Sequence, residues 1–348
     1  MKVGAYYFPT DYGIDIAELA RALEQRGFES LFVCEHTHIP VSRRTPFPGG
    51  GELPKRYKHT HDPFVALSFA AAATKSLKLG TGICLIPQRD PIVTAKSVAS
   101  LDQLSGGRFI FAMGGGWNVD EMENHGARYE TRFKLLRERA LAMKELWTKE
   151  EAQFHGEFVN FDKAWLYPKP KQRPHPPLLL GGESDHTLKR VVDFCDGWFP
   201  RPRGGFEPKG AVERLKKAAA AAGRDGKSLS ITVFAAPADA AKLAPYREAG
   251  IDRVLLEVPD RSRDEILGAR QERGADQSMI CFAQACYFTA AIKRAMKPPT
   301  AAPSIQRSTV TRSWSGSIQI MLVPAPMANR LEGGAAGRRA APRLSHHR

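Results

Sequence analysis

The sequence predicts an α/β fold, the eight-stranded (β/α)8 barrel of the TIM type, on three observations. Short apolar runs alternate with helix-period segments eight times in about 265 residues. The central runs, residues 77–86 and 109–113, are apolar almost throughout, as expected of parallel strands buried on both faces. The first carries Gly80 and Gly82 and closes at Pro87, and the second opens into Gly114-Gly115-Gly116; glycines at strand ends lack side chains and let a planar or phosphorylated ligand approach the backbone. A doubly wound sheet is the competing architecture. It would place phosphate-binding glycines after its first strand, where this chain has Pro9-Thr10-Asp11.

Taken in order, residues 2–8 form the first strand, and a helix over 15–26 ends at Gly27. The second strand, 31–34, runs into Glu35 and His36, and a long loop containing Pro46-Phe47-Pro48-Gly49-Gly50-Gly51 follows. A helix over 62–75, the strand within 77–86, a helix over 91–104 and a strand over 108–113 continue the rhythm. The helix over 131–147 sets Phe133, Leu136, Ala140, Met143 and Trp147 on one face, which reads as core packing. Between 148 and 176 the rhythm breaks into a small insertion, with a hairpin around 154–158 and a proline-rich connector. Strands at 177–180, 197–199, 229–235 and 252–258, with helices at 185–195, 208–222 and 239–249, complete the barrel. An eighth helix starts near Asp264, but its apolar pattern fades at Gly268, so 279–296 is a candidate substitute.

The 348 residues are 43% hydrophobic, enough for a sizeable core, and no apolar stretch approaches the roughly 20 residues of a membrane span. No signal-peptide layout opens the chain, so a cytoplasmic location is expected, with no membrane partner. Five scattered cysteines, Cys34, Cys84, Cys195, Cys281 and Cys286, read as buried thiols rather than disulfides or a metal site. The net charge of +14 is uneven, because residues 268–348 supply +9 of it. That stretch is rich in Ala, Pro, Ser and Arg and reads as a solvated tail, without the interleaved aromatics that a nucleic-acid arm would need. The division is therefore 1–267 barrel and 268–348 atypical basic tail, whose abrupt change of composition has the look of a frameshifted terminus. Residues beyond about 298 are expected to be protease-sensitive and to carry no site residue.

Several motifs in sequence order resemble the luciferase-like monooxygenase superfamily. They are Thr81-Gly82-Ile83, Ser105-Gly106-Gly107-Arg108, Gly114-Gly115-Gly116-Trp117, Asn118 through Gly126, and residues 177–184. Within it the chain is most similar to the branch that uses the deazaflavin coenzyme F420, and the resemblance spans about residues 1–267. The resemblance implies that the cofactor crosses the barrel mouth, with its phosphate on the backbone amides of Gly181, Gly182, Glu183 and Ser184. Glycine amides before a helix start suit an anion, and this reading is preferred, on the position at the barrel mouth, to a plain turn in which Ser184 or Asp185 caps the helix. It further implies a bulge with a non-prolyl cis peptide at Gly82-Ile83 behind the ring, flanked by Thr81, Gly114, Gly115 and Trp117. His36 matches the position of a histidine near the reactive ring carbon, where an imidazole can orient substrate or exchange a proton. His38, His59 and His61 in the following loop lack the acidic neighbours of a metal site.

One departure matters. Some deazaflavin-dependent sugar-phosphate dehydrogenases have a glutamate directly after the fourth-strand glycines, where this chain has Trp117 and Asn118. Sugar phosphate is therefore a poor fit, and Trp117 could instead wall an apolar pocket. Arg43, Arg44, Lys55, Arg56 and Lys58, with Arg201 and Arg203, form a cationic rim that would favour F420, with its phosphate and oligoglutamate tail, over FMN. The expectation is an oxidoreductase that moves a hydride to or from a small organic substrate with F420. The alternatives are an FMN-dependent monooxygenase that activates oxygen, and a non-catalytic flavin-binding barrel. A homodimer is compatible with all three.

Overall fold

The computed structural model describes residues 1–203 and 205–268. The expected tail, its cysteines and the candidate substitute helix lie outside those residues. Eight parallel barrel positions close in the order β3 (Lys78–Thr81), β2 (Ser30–Val33), β1 (Lys2–Tyr7), β11 (Arg253–Glu257), β10 (Ser230–Val233), β9 (Gly197–Phe199), β8 (Leu178–Gly181) and β5 (Phe109–Gly114). The pairing of β3 with β5 shuts the ring. The fold is a TIM barrel.

Strict alternation along each strand builds two cores. Tyr6, Phe32, Ile110, Ala112, Leu179 and Leu255 point inward and fill the barrel. Their sequence neighbours Tyr7, Leu31, Val33, Phe111, Leu180 and Leu256 point outward and pack beneath the helices. This double burial is why the strands read as continuous apolar runs.

The helices begin where a side chain can accept from orphan amides. Asp15 caps α1 (Ile16–Gln25), and Asp62 and Asp90 cap α2 (Pro63–Ala73) and α3 (Pro91–Leu104), each of the latter followed by a proline at the first helical position. Helices α5 (Arg132–Thr148), α6 (Asp185–Phe194), α7 (Pro208–Ala221) and α8 (Ala240–Glu248) complete the outer layer up to the last strand. The insertion is a two-stranded hairpin, β6 (Ala152–His155) with β7 (Asn160–Ala164). After β11 comes a one-turn α9 (Arg263–Leu267), with a capping box at its start, buried Ile266, and left-handed Gly268 at its end.

Two local features lie beyond the periodicity. The third barrel position is interrupted: β3 ends at Thr81, and β4 (Cys84–Leu85) resumes pairing against the end of β5. Between the pieces the Gly82–Ile83 peptide is cis. A six-residue α4 (Val119–Asn124) also follows β5, in a segment that carries no sustained apolar stripe.

Candidate active site

A cavity of about 500 Å³ opens at the carboxyl ends of the strands, the face on which barrel enzymes build their sites. One wall is backbone. Gly82, Ile83, Gly114, Gly115, Gly181 and Gly182 line it. Ile83 lies across this wall: a Cβ on Gly114 would overlap its Cδ1, and one on Gly181 would touch it at 3.5–3.6 Å. Gly115 is equally constrained, because a Cβ there would stand 2.9 Å from the ring of Phe133. Phe133 is therefore not simply core, since it faces the cavity while its helix neighbours Leu136, Ala140, Met143 and Trp147 are buried. Thr81 stands outside the lining. It is fully buried, and its hydroxyl donates to the Ala112 carbonyl at 2.6 Å, tying β3 to β5 below the mouth.

After β8 the backbone turns sharply. Gly182 has φ +126°, and a Cβ there would come within 2.7 Å of Thr187 Oγ1, so the turn itself requires glycine. Trp198 Nε1 donates to the Gly182 carbonyl at 2.6 Å and holds the turn in place. Ser184 caps α6 by accepting from the Thr187 amide at 3.2 Å, so its hydroxyl has a structural task. The amides of Glu183, Ser184 and Asp185 have no acceptor among the described residues, and they sit at the positive end of α6. Glu183 turns its carboxylate away to Arg201, whose Nε donates at 3.0 Å and Nη2 at 3.2 Å. Burial opposes ionisation of Glu183, but the hydrogen bonds and charge of Arg201 outweigh it and hold its pKa below the ordinary value.

The facing wall consists of side chains. His36, at the end of β2, donates from Nδ1 to the Glu121 carboxylate, at 2.8 Å to Oε2 and 3.0 Å to Oε1. Both residues are buried. With Nδ1 engaged, Nε2 is the nitrogen free for chemistry at the cavity. Around the imidazole stand Tyr57, with ring centroids 5.2 Å apart, and Trp117, at 5.8 Å. Phe47 packs on both of those rings, and Phe8 packs on Tyr57 at 4.8 Å, which completes an apolar enclosure.

Glu121 is the functional candidate that sequence reasoning missed. It is one of three acids in α4, and only tertiary packing separates it from the others. Asp120 and Glu123 turn outward to pair with Arg44, while Glu121 and Met122 turn inward. A buried pair at sequence positions spaced inside a six-residue helix leaves no readable period.

The cationic rim is more selective than the sequence suggests. Arg44 is neutralised by Asp120 and Glu123, Lys55 lies over the Tyr12 ring at 4.1 Å, and Arg56 donates to Glu257 at 2.7 Å. Arg56, Arg201 and Arg203 are the rim cations that line the cavity. His59 pairs with Asp11, and His38 hydrogen-bonds Thr37 and Asn124, so neither takes part in the enclosure.

The chain matches the luciferase-like monooxygenase family over residues 10–279. An uncharacterized protein of Mycobacterium tuberculosis is 42% identical over 285 residues, 81% of this chain and all of its own length. The FMNH2-dependent dimethylsulfone monooxygenase of Pseudomonas putida is 33% identical over 44% of this chain and 42% of its own. Among solved structures, the monooxygenase RslO1 of Streptomyces bottropensis superposes with a TM-score of 0.63 at 20% identity, covering 82% of this chain and 98% of that one. The coenzyme F420-dependent tetrahydromethanopterin reductase of Methanopyrus kandleri gives 0.59 at 18%, covering 76% and 96%. The family match spans well over half the sequence, and the chain belongs to the luciferase-like monooxygenase family.

Proposed function

We propose that this protein is an F420-dependent oxidoreductase that moves a hydride to or from a small, largely apolar alcohol or carbonyl compound. The observation that carries the reading is the His36–Glu121 pair set opposite a glycine-lined wall. The cavity fits a tricyclic deazaflavin. The wall of Gly82, Gly114, Gly115 and Gly181 leaves room for a flat ring over Ile83, and the unpaired amides of Glu183, Ser184 and Asp185 suit its phosphate. When bound, the deazaflavin supplies a ring carbon that accepts or donates hydride. The protein's share is positioning and proton handling. As hydride leaves an alcohol carbon, His36 Nε2 takes the hydroxyl proton; in the reverse direction it returns that proton to the carbonyl oxygen. Glu121 fixes the tautomer that makes Nε2 the accepting atom. Phe8, Phe47, Tyr57 and Trp117 exclude water and select against strongly polar substrates.

Arg201 and Arg203 support the deazaflavin over FMN, because the added carboxylates of its tail gain from guanidinium groups at the cavity edge. Absorbance titration of the purified protein with each cofactor tests this. Tighter binding of the deazaflavin, weakening as salt is raised, is expected. Equal or tighter binding of FMN would overturn it and favour the second reading, an FMN-dependent monooxygenase, for which the partial likeness to the dimethylsulfone enzyme is the supporting observation.

A further inference from the structure

Glu35 borders the same cavity as its neighbour His36, yet it is buried and the chemistry above gives it no task. Its surroundings begin with a gap in the sheet. β3 keeps its ladder with β2 as far as Thr81 opposite Val33, and the Gly82 amide makes the last bond, to the Val33 carbonyl at 2.7 Å. Beyond Ile83 the chain resumes as β4, which among the described residues pairs with β5 alone. A strand with one neighbour leaves amides on its other side in need of an acceptor. The Glu35 side chain supplies it, because Oε2 accepts from the Leu85 amide at 2.8 Å.

The other carboxylate oxygen holds Arg89, whose Nε donates to Oε1 at 2.5 Å and whose Nη2 also reaches it. Arg89 Nη2 donates onward to Asp62 Oδ2 at 2.6 Å, while Asp62 Oδ1 caps α2. Arg139 Nη1 donates to the carbonyls of Ile86 and Arg89 at 2.8 and 2.7 Å, which ties the segment after β4 to α5. One carboxylate thus joins the chain that carries His36 to the chain directly after Ile83. These are the side-chain wall and the backbone wall of the cavity. A buried ion pair adds little net stability over apolar residues of similar volume, and what it adds here is a fixed geometry. An apolar residue at position 35 would also strand the Leu85 amide.

We infer that Glu35 is a positioning residue, which sets the separation between the Ile83 surface that supports the cofactor ring and the imidazole of His36. This rests on the reading of the glycine wall as the seat of a tricyclic ring. Glu35 acts through Leu85 and Ile83 rather than on the reacting atoms, and small errors in such a separation are enough to slow hydride transfer. The phosphate amides belong to the turn after β8, a different strand, so the pose of the ring and the affinity for the cofactor should come apart when Glu35 is changed.

The test uses the full chain with F420 and, separately, with FMN, and follows the time-resolved fluorescence anisotropy of the bound ring together with the dissociation constant. In the wild type the ring should turn only with the whole protein. Glu35→Gln keeps an oxygen for the Leu85 amide but removes the charge that holds Arg89, and it should add a fast component to the decay. Arg89→Lys, which loses the grip of two nitrogens on Oε1, should do the same. Affinity in both variants should stay within about threefold of the wild type, because the amides after β8 are untouched. Arg253→Met, which loosens the opposite end of the barrel, is the control: it should lower the melting temperature and leave the decay unchanged. A mobile ring in the wild type, or a rigid one in both variants, would overturn the inference. So would equal mobility in Arg253→Met, since Glu35 would then only stabilise the fold. If one of the two variants fails to fold, the other decides. If the wild type binds FMN and not F420, the deazaflavin reading falls and Glu35 is judged on the flavin ring; if it binds neither, both fall.

Discussion

The two ends of the barrel use the same residue types in opposite ways. At the amino-terminal ends of the strands, charged groups are saturated. Arg108 donates to the carbonyls of Ala71, Thr74, Leu77 and Ser105, and Arg253 grips Glu29 with two bonds of 2.7 and 2.8 Å while also donating to Thr232. Asp102 likewise accepts from both the backbone and the side chain of Gln172. At the carboxyl-terminal ends, among the described residues, amides after β8 lack acceptors, Arg203 has no hydrogen-bonded carboxylate, and the imidazole of His36 keeps one nitrogen free. Satisfied groups stabilise; groups left with spare capacity are what a ligand can use. Substitutions at the first end should therefore change stability without changing chemistry, and those at the second should do the reverse.

The largest effect is expected at the closed end. Arg253→Met leaves Glu29 in a largely enclosed site without its partner, which should cost about 3 kcal/mol of unfolding free energy. Urea denaturation measures this. Cofactor affinity and turnover of the surviving folded protein should match the wild type, and a loss of turnover beyond the loss of folded protein would blur the division between the ends. Replacing both Arg253 and Glu29 with Met should recover part of the stability.

At the open end, His36→Ala should lower turnover by about 100-fold with cofactor affinity changed far less. It also strands a buried carboxylate, so melting temperature should fall. The double variant His36→Ala/Glu121→Ala separates the two consequences: stability should partly return and turnover should not. Wild-type turnover in either variant would make His36 a structural residue.

A subtler change sharpens the comparison. Glu121→Gln keeps an oxygen able to accept from His36 Nδ1 but removes the charge, so the tautomer survives and the electrostatic support does not. Turnover should fall about tenfold with KM and cofactor affinity nearly constant, a size typical of lost second-layer support. A change in KM alone would assign Glu121 to binding.

Legibility in the sequence follows the same division. Everything that depends on backbone period or on glycine could be read. The alternation of continuous apolar runs with helix-period segments gave the barrel, and the glycines after β3, β5 and β8 lie on one wall of the cavity. What could not be read depends on a contact between distant side chains. His36 and Glu121 lie 85 residues apart, and no local pattern separates Glu121 from Asp120 and Glu123. The same limit applies to charge: Arg44 and Arg201 look alike in sequence, yet one is spent on α4 and the other stands at the cavity edge. Thr81 shows the converse, since it sits in a motif beside Gly82 but its hydroxyl serves the sheet.

The smallest effect again belongs to the closed end and has a sign that can be fixed in advance. The Glu24 carboxylate caps the turn before β3. The slight desolvation there raises its pKa, but the amides of Ser76, Leu77 and Lys75 and the Ser76 hydroxyl outweigh it, bringing the pKa down from 4.5 to about 2. A depressed carboxylate stabilises the fold above its unfolded pKa and loses that contribution as pH falls through its folded one. Glu24→Gln should therefore melt below the wild type by about 2–4 °C at neutral pH, the shift for roughly 1 kcal/mol in a domain of this size. The gap should narrow below pH 4.5 and close near pH 2. Because the site lies at the end of the barrel away from the cavity, turnover at neutral pH should not move. A gap that persists unchanged to pH 2 would mean that Glu24 holds the turn by shape rather than by charge.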